Sequence, residues 1–311
     1  MDKNLDFGYV SHPDLNDPYF HTELIDDWEF SYNQVSAGKF RGSLNKIWFG
    51  DIEVYEEKLS NAVFQEGCCK HGILCLGIFR NFRDPTIYLG DKIENTDIIN
   101  INLNKEVFIK TPENSKFYAL QIPFNLLTDH ELIQLNDITS IVRNNKFNTK
   151  IFSKINYIFN ALKDEIINDV AKQYIISEFL DIGCEYINLA SKVPLEYKNS
   201  KNKAKQIIKE IINYLQSNQY ILFTVEDLCK LTHTSRRTLH NYFEIIIGCS
   251  PSLFLKYWRL NATRRMLLNN KERMTISQIA TYWGFWNFSQ FTQDYKTLFG
   301  ELPSQTLRYY K

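Results

Sequence analysis

Arg236, Arg237, His240 and Asn241 stand close together in the run T-S-R-R-T-L-H-N-Y-F. At helical spacing they share one face, and Leu239, Tyr242, Phe243 and Ile246 share the opposite one. Guanidinium forks, an imidazole and a carboxamide on one exposed face suit DNA base edges and phosphates, which they can meet with paired hydrogen bonds. The same plan recurs further along. Ser289, Gln290, Gln293 and Lys296 face outward from a helix whose inner side carries Phe291 and Tyr295. Ser235 and Asn287 stand where N-caps belong, since their side-chain oxygens can accept from free backbone N–H groups of the first turn.

Each polar face needs an element to aim it. Residues 225–243 and 275–295 both read as a short apolar-periodic helix, a tight turn and a second helix with a polar outer face. That is a helix-turn-helix, whose second helix enters the major groove. The units span about 225–246 and 275–298. Leu228 and Cys229 read as packing inward in the first, and Ile279, Ala280 and Phe285 in the second. Gly284 sits where the turn requires a positive φ, and His233 takes the matching place in the first unit. Phe288 reads as packing inward, with contact to a thymine methyl as the alternative. Ile207, Ile208, Ile211, Ile212 and Leu215 form a stripe that would cover the first unit. Residues 251–268 read as a continuous rod of roughly 27 Å. With its end turns the rod can hold two recognition helices in grooves roughly 34 Å apart. Arg259, Arg264 and Arg265 on the rod are expected along the phosphates.

Charge supports this reading. Residues 201–311 hold 16 Lys and Arg against 7 Asp and Glu, a net +9. Residues 1–200 hold 20 against 29, a net −9, so the zero total hides a basic half suited to a polyanion. Double-stranded DNA is the expected partner.

The segment 205–308 resembles the AraC/XylS DNA-binding domain. The match is carried by R-L-N-A-T-R-R-M-L, I-A-T-Y-W-G-F-W-N-F-S-Q-F-T-Q-D-Y-K-T-L-F-G and the closing P-S-Q-T-L-R, about a third of the chain. Thr263 and Gln293 depart from the usual Ala and Arg. R-R-T-L-H-N-Y-F, W-G-F-W-N-F-S-Q-F-T-Q-D-Y and residues 28–42 are most similar to the ethanolamine-utilisation operon regulators. The resemblance implies a sensing amino-terminal domain, transcriptional activation and RNA polymerase as a partner.

The amino-terminal half reads differently. Residues 1–26 look like an irregular arm. Short alternating runs over about 27–122 predict an antiparallel β-barrel, cupin-like by the resemblance. Flanking helices follow over about 123–192, with stripes at Ile151, Ile155, Ile158, Phe159 and Leu162, and at Ile166, Ile167, Val170, Tyr174 and Ile175. Residues 148–192 are a candidate homodimer surface. The fold class is therefore α+β, with a sensing domain over 1–198 and an all-α DNA-binding domain over 199–311. A small-molecule effector would sit in the barrel; Trp28, Tyr32, Phe40 and Trp48 are possible wall residues but read first as ordinary core, so the effector contacts stay unassigned. With His71 the one histidine in the strand region, no metal or other cofactor is expected. The six cysteines lack C-x-x-C spacing, and neither a leader nor a membrane-spanning run is evident. The whole reads as a cytoplasmic transcription regulator and not an enzyme. An architectural DNA protein, or an enzyme with an appended DNA reader, is the alternative.

Overall fold

The computed structural model describes all residues except 1–6, 26–27, 69–71, 81–82, 102–105, 136–137, 162–166, 194–201, 219–220, 271 and 310–311. His71, Leu162, Ile166 and the domain boundary expected near 198 lie outside the described residues.

Among the described residues, twelve strands form two antiparallel sheets. In chain order they are β1 (Phe7–Leu15), β2 (Glu29–Gln34), β3 (Gly42–Phe49), β4 (Ile52–Leu59), β5 (Val63–Cys68), β6 (Ile73–Arg80), β7 (Thr86–Tyr88), β8 (Asp91–Ile93), β9 (Asp97–Asn100), β10 (Glu106–Thr111), β11 (Ser115–Pro123) and β12 (Ile141–Arg143). The larger sheet runs β1-β3-β4-β11-β6-β9-β12 and the smaller β2-β5-β10-β7-β8. This is the cupin-like antiparallel architecture expected from the sequence, with the strands shared between two facing sheets. It begins earlier than expected. Residues 7–15 form a strand paired with β3, and not an irregular arm. Their polar content hid a period of two, and Gly8 is needed there because a Cβ would strike the Trp48 ring.

The helices are α1 (Tyr19–Leu24), α2 (Asp129–Gln134), α3 (Asn145–Ala161), α4 (Asp169–Ser191), α5 (Asn202–Ser217), α6 (Val225–Leu231), α7 (Arg236–Ile246), α8 (Pro251–Leu268), α9 (Ile276–Tyr282), α10 (Phe288–Phe299) and α11 (Pro303–Tyr309). Among the described residues no helix is long and apolar enough to cross a membrane.

These elements stack in layers. Ile151, Ile155 and Phe159 of α3 and Phe179, Ile182, Tyr186 and Ile187 of α4 cover the outer face of the larger sheet, against Ile47, Val54, Leu76 and Leu120. Burial on both faces explains why β6 reads I-L-C-L-G-I-F without alternation. Of the second stripe expected on the helices, Ile167 and Ile175 are partly buried and pack against this core, but the other two described members are not. Val170 is 80% exposed and Tyr174 66%, because α4 meets the sheet farther along, from Phe179 onward.

The smaller sheet carries the DNA-reading half on its outer face. One buried cluster joins Phe64, Phe108 and Ile109 to Ile208, Ile211, Leu228, Leu239, Phe243, Phe254 and Trp258. The second helix-turn-helix has its own core of Leu260, Leu267, Ile279, Phe291, Tyr295, Leu298 and Phe299. The first unit is thus bonded by packing to the amino-terminal sheets, whereas the second rests mainly on the rod α8.

Candidate nucleic-acid interface

The two helix-turn-helix units are built by the same local rules. Thr224 caps α6 and Thr275 caps α9, each in a reciprocal capping box with Asp227 and Gln278 respectively. Each first helix ends in one residue at positive φ, His233 at 48° and Gly284 at 77°. The backbone closes alike in both: Thr234 N–H donates to Cys229 C=O at 3.1 Å, and Phe285 N–H to Ala280 C=O at 2.9 Å. Ser235 Oγ then accepts from Thr238 N–H at 3.1 Å to start α7, and Asn287 Oδ1 from Gln290 N–H at 3.0 Å to start α10. The rod occupies Pro251–Leu268, with Pro251 at its first position and Ser250 as its cap. Gly284→Ala is expected to cost about 1–2 kcal/mol for the left-handed backbone alone. The new Cβ would also lie 2.5 Å from Leu222 Cδ1. Urea unfolding of the full chain measures the loss.

Leu239, Phe243 and Ile246 are buried on the inner side of α7, and Phe291 and Tyr295 on that of α10. On the outer sides Arg236, Arg237, His240 and Asn241 are exposed, as are Asn287, Ser289, Gln290, Gln293 and Lys296. Arg236 lies 3.1 Å from Glu226, and Gln290 donates to Asp294 at 3.1 Å. These surface contacts are weak enough to yield to a phosphate or base.

The rod arginines depart from expectation. Arg264 is buried and not aimed at solvent. Its guanidinium bonds Asp17, Glu301 at 2.7 Å, Thr306 at 3.1 Å and Tyr295 at 3.3 Å. Burial opposes its charge, but Asp17, Tyr295 and Glu301 more than restore it. Arg265 is partly buried and donates to Asn33 Oδ1 at 2.9 Å. Both side chains therefore join the rod to the amino-terminal sheets and to α11 rather than lying along the DNA backbone. Phe288 differs too: it is 45% exposed and not packed inward. As the first residue of α10 it has no preceding turn to fold back over. Beside it Trp286 is 72% exposed, a surface feature absent from the expected contacts.

Further bonds clamp the rod to β2. Asn261 and the Gln34 backbone exchange hydrogen bonds at 2.9 Å in each direction, and Gln34 Nε2 donates to Leu298 C=O at 2.6 Å.

Behind β2, between the sheets, lies a small cavity walled by Trp28, Phe30, Tyr32, Tyr55, Phe117 and Gln65, with Glu57 at its side. Trp28 and Tyr32 line it, whereas Phe40 is buried in the surrounding core and Trp48 is not among the lining residues. Glu57 accepts from Tyr32 Oη at 3.2 Å and faces His21 Nδ1 at 3.6 Å. Two buried donors on the wall, Trp28 Nε1 and Gln65 Nε2, have no hydrogen-bond partner among the described residues. Unsatisfied buried donors are costly and call for a partner. The strand period places Phe30, Tyr32 and Gln65 on the cavity side of β2 and β5. It places Ser31, Asn33, Phe64 and Glu66 on the other side, toward the rod.

Residues 228–309 match the family model described as a helix-turn-helix domain. The XylDLEGF operon transcriptional activator of Pseudomonas putida is 30% identical over 108 residues, 34% of this chain and 34% of that protein. The HTH-type transcriptional regulator GbdR of Pseudomonas aeruginosa is 29% identical over 112 residues, 36% of this chain and 29% of that protein. The matched segment thus spans about a third of each relative's length. A probable AraC family transcriptional regulator from Rhodopseudomonas palustris has a solved structure 29% identical to this chain. The match covers 34% of this chain and 98% of that one, at a TM-score of 0.31. Repeated capped units and a rod between them agree with the family match: residues 228–309 form a helix-turn-helix domain, similar in sequence to the matched segment of the XylDLEGF activator.

Proposed function

We propose that this chain is a sequence-specific DNA-binding transcription regulator, an activator working in the cytoplasm with RNA polymerase. It reads two adjacent major grooves, α7 in one and α10 in the next. The observation that carries this reading is the pair of capped recognition helices on one 18-residue rod, each with an exposed polar face. Arg236, Arg237, His240 and Asn241 are the contacts of the first head. Asn287, Ser289, Gln290, Gln293 and Lys296 are those of the second. Similarity to the XylDLEGF activators supports activation, and the motif similarity to ethanolamine-utilisation regulators supports control of a catabolic operon.

The double-sheet cavity is the proposed effector site. An occupant pressing on Phe30, Tyr32 or Gln65 moves strands whose opposite faces hold Asn261, Arg265 and Phe254 of the rod. Exposed Tyr157, Val170 and Tyr174 support a second copy of the chain on α3 and α4. Sedimentation of the full chain as a monomer at tens of micromolar would count against that dimer.

Contacts to bases and to phosphates differ in their signatures. His240→Ala, Asn241→Ala and Gln290→Ala are each expected to cost about 1–3 kcal/mol of DNA affinity and to relax preference at one base position. Lys296→Ala is expected to weaken all sequences alike and to lower the salt slope by about one. Titration of a selected duplex at several salt concentrations reads both. Equal loss on specific and random duplexes for the first three variants would contradict the reading.

A further inference from the structure

The two heads differ at their first turn in a way their shared plan does not require. After the positive-φ residue, the first unit reaches its N-cap in two steps, His233 to Ser235. The second takes three, Gly284 to Asn287. The extra residue is Trp286, and it stands 72% exposed. Counted from the N-caps, the first helical residue is Arg236 in α7 and Phe288 in α10. One head therefore presents a guanidinium where the other presents a phenyl ring that is 45% exposed. Two large aromatic side chains flank the second N-cap, next to exposed Ser289 and Gln290.

Recognition helices touch base edges with their amino-terminal residues. The one apolar group that the major groove offers there is the C5-methyl of thymine. Resting on the proposed DNA-reading function, we infer that Phe288 and Trp286 form an apolar wedge that reads thymine methyl groups in the half-site bound by α10. The N-cap Asn287 between them accepts from the Gln290 backbone amide through Oδ1, which leaves its Nδ2 as the donor for its own DNA contact. Neighbouring Gln290 supplies the polar contact that fixes register beside the wedge. The first half-site, met by Arg236 instead, carries no such methyl requirement. A DNA surface also accounts for aromatic exposure at this point: it is continuous with the outer face of α10 rather than with either buried core.

Replacing thymine by deoxyuridine removes the methyl and keeps every hydrogen-bonding atom. The full chain is first used to select a duplex, and each thymine of the recovered site is then replaced singly. At one or two thymines of the α10 half-site the wild type is expected to lose about fourfold in affinity per methyl, the free energy of burying one such group. Phe288→Ala or Trp286→Ala should erase that difference, while Phe288→Leu keeps most of it. Both aromatic residues are exposed, so neither change disturbs a core, and circular dichroism of each variant confirms folding. Equal affinity for thymine and uracil throughout that half-site overturns the inference, as does a selected half-site without thymine. In either case sequence-specific binding itself survives, which separates this failure from failure of the DNA-reading function. Recovery of no enriched duplex would remove both.

Discussion

Arg264→Ala is expected to lower the unfolding free energy by about 3–5 kcal/mol, the cost of stranding buried charges whose partner is gone. Asp17 and Glu301 would remain, 5% and 14% exposed, stripped of the guanidinium that both bind, with the charge of Arg265 offsetting Asp17 only in part. Tyr295 and Thr306 would each lose one bond as well. The damage spreads because Arg264 ties three elements together: the rod, the segment before α1 and the turn before α11. Urea unfolding of the full chain measures it. Adding Asp17→Asn to the variant should recover part of the loss, since one stranded charge is then removed. A phosphate-contacting arginine behaves otherwise. If Arg264→Ala left the urea midpoint unchanged and lowered the salt slope of DNA binding by about one, the buried cluster would not be its role.

Glu66 should make stability depend on pH. It is fully buried on β5, with Oε2 unpartnered and Oε1 accepting from Asn33 at 3.4 Å. Burial pushes its carboxyl up from the ordinary 4.5 to about 8, against the pull of Arg265 and the hydrogen bonds from Asn33 and Gln216. The folded chain therefore keeps a proton that the unfolded chain releases. Its contribution to stability is full below about pH 4.5, falls as pH rises toward 8, and is gone above it. The slope is about 1.4 kcal/mol per pH unit within that window, an upper bound if the site relaxes. Glu66→Gln mimics the protonated acid without titrating. The variant should match the wild type near pH 5 and exceed it by a few kcal/mol at pH 8. Arg265 and Asn33 face Glu66 unchanged in both proteins, so the difference isolates one group. Parallel stability curves for the two proteins would contradict the burial argument.

What was legible in the sequence was local. Ser235 and Asn287 could be named as caps, and Gly284 and His233 as positive-φ residues, because each acts within a few residues of itself. The rod was bounded from Pro251 to Leu268 for the same reason. Arg264 was misread because its partner Asp17 lies 247 positions away, and nothing in helical periodicity marks that pairing. Phe288 stays at the surface because the first residue of a helix has no preceding turn to fold back over, which its aromatic type does not reveal. The strand at 7–15 was hidden until its pairing with β3 supplied the missing context. Burial of Phe64 edge-on against Phe254, 5.8 Å apart, likewise joins two halves through a contact that no local pattern marks. The attachment is largely apolar and hydrogen-bonded, so the split of −9 and +9 does not by itself account for it. The cavity wall was half legible: Trp28 and Tyr32 are aromatic at strand spacing, but Gln65 and Glu57 come from strands whose register only pairing reveals.

The central claim is that two recognition helices on one rod read two grooves. Selection of random duplex DNA by the purified full chain tests it most directly. The expected result is one long asymmetric motif of two blocks about one helical turn apart, with His240→Ala relaxing one block and Gln290→Ala the other. A single block, or enrichment that both variants alter in the same place, would contradict it.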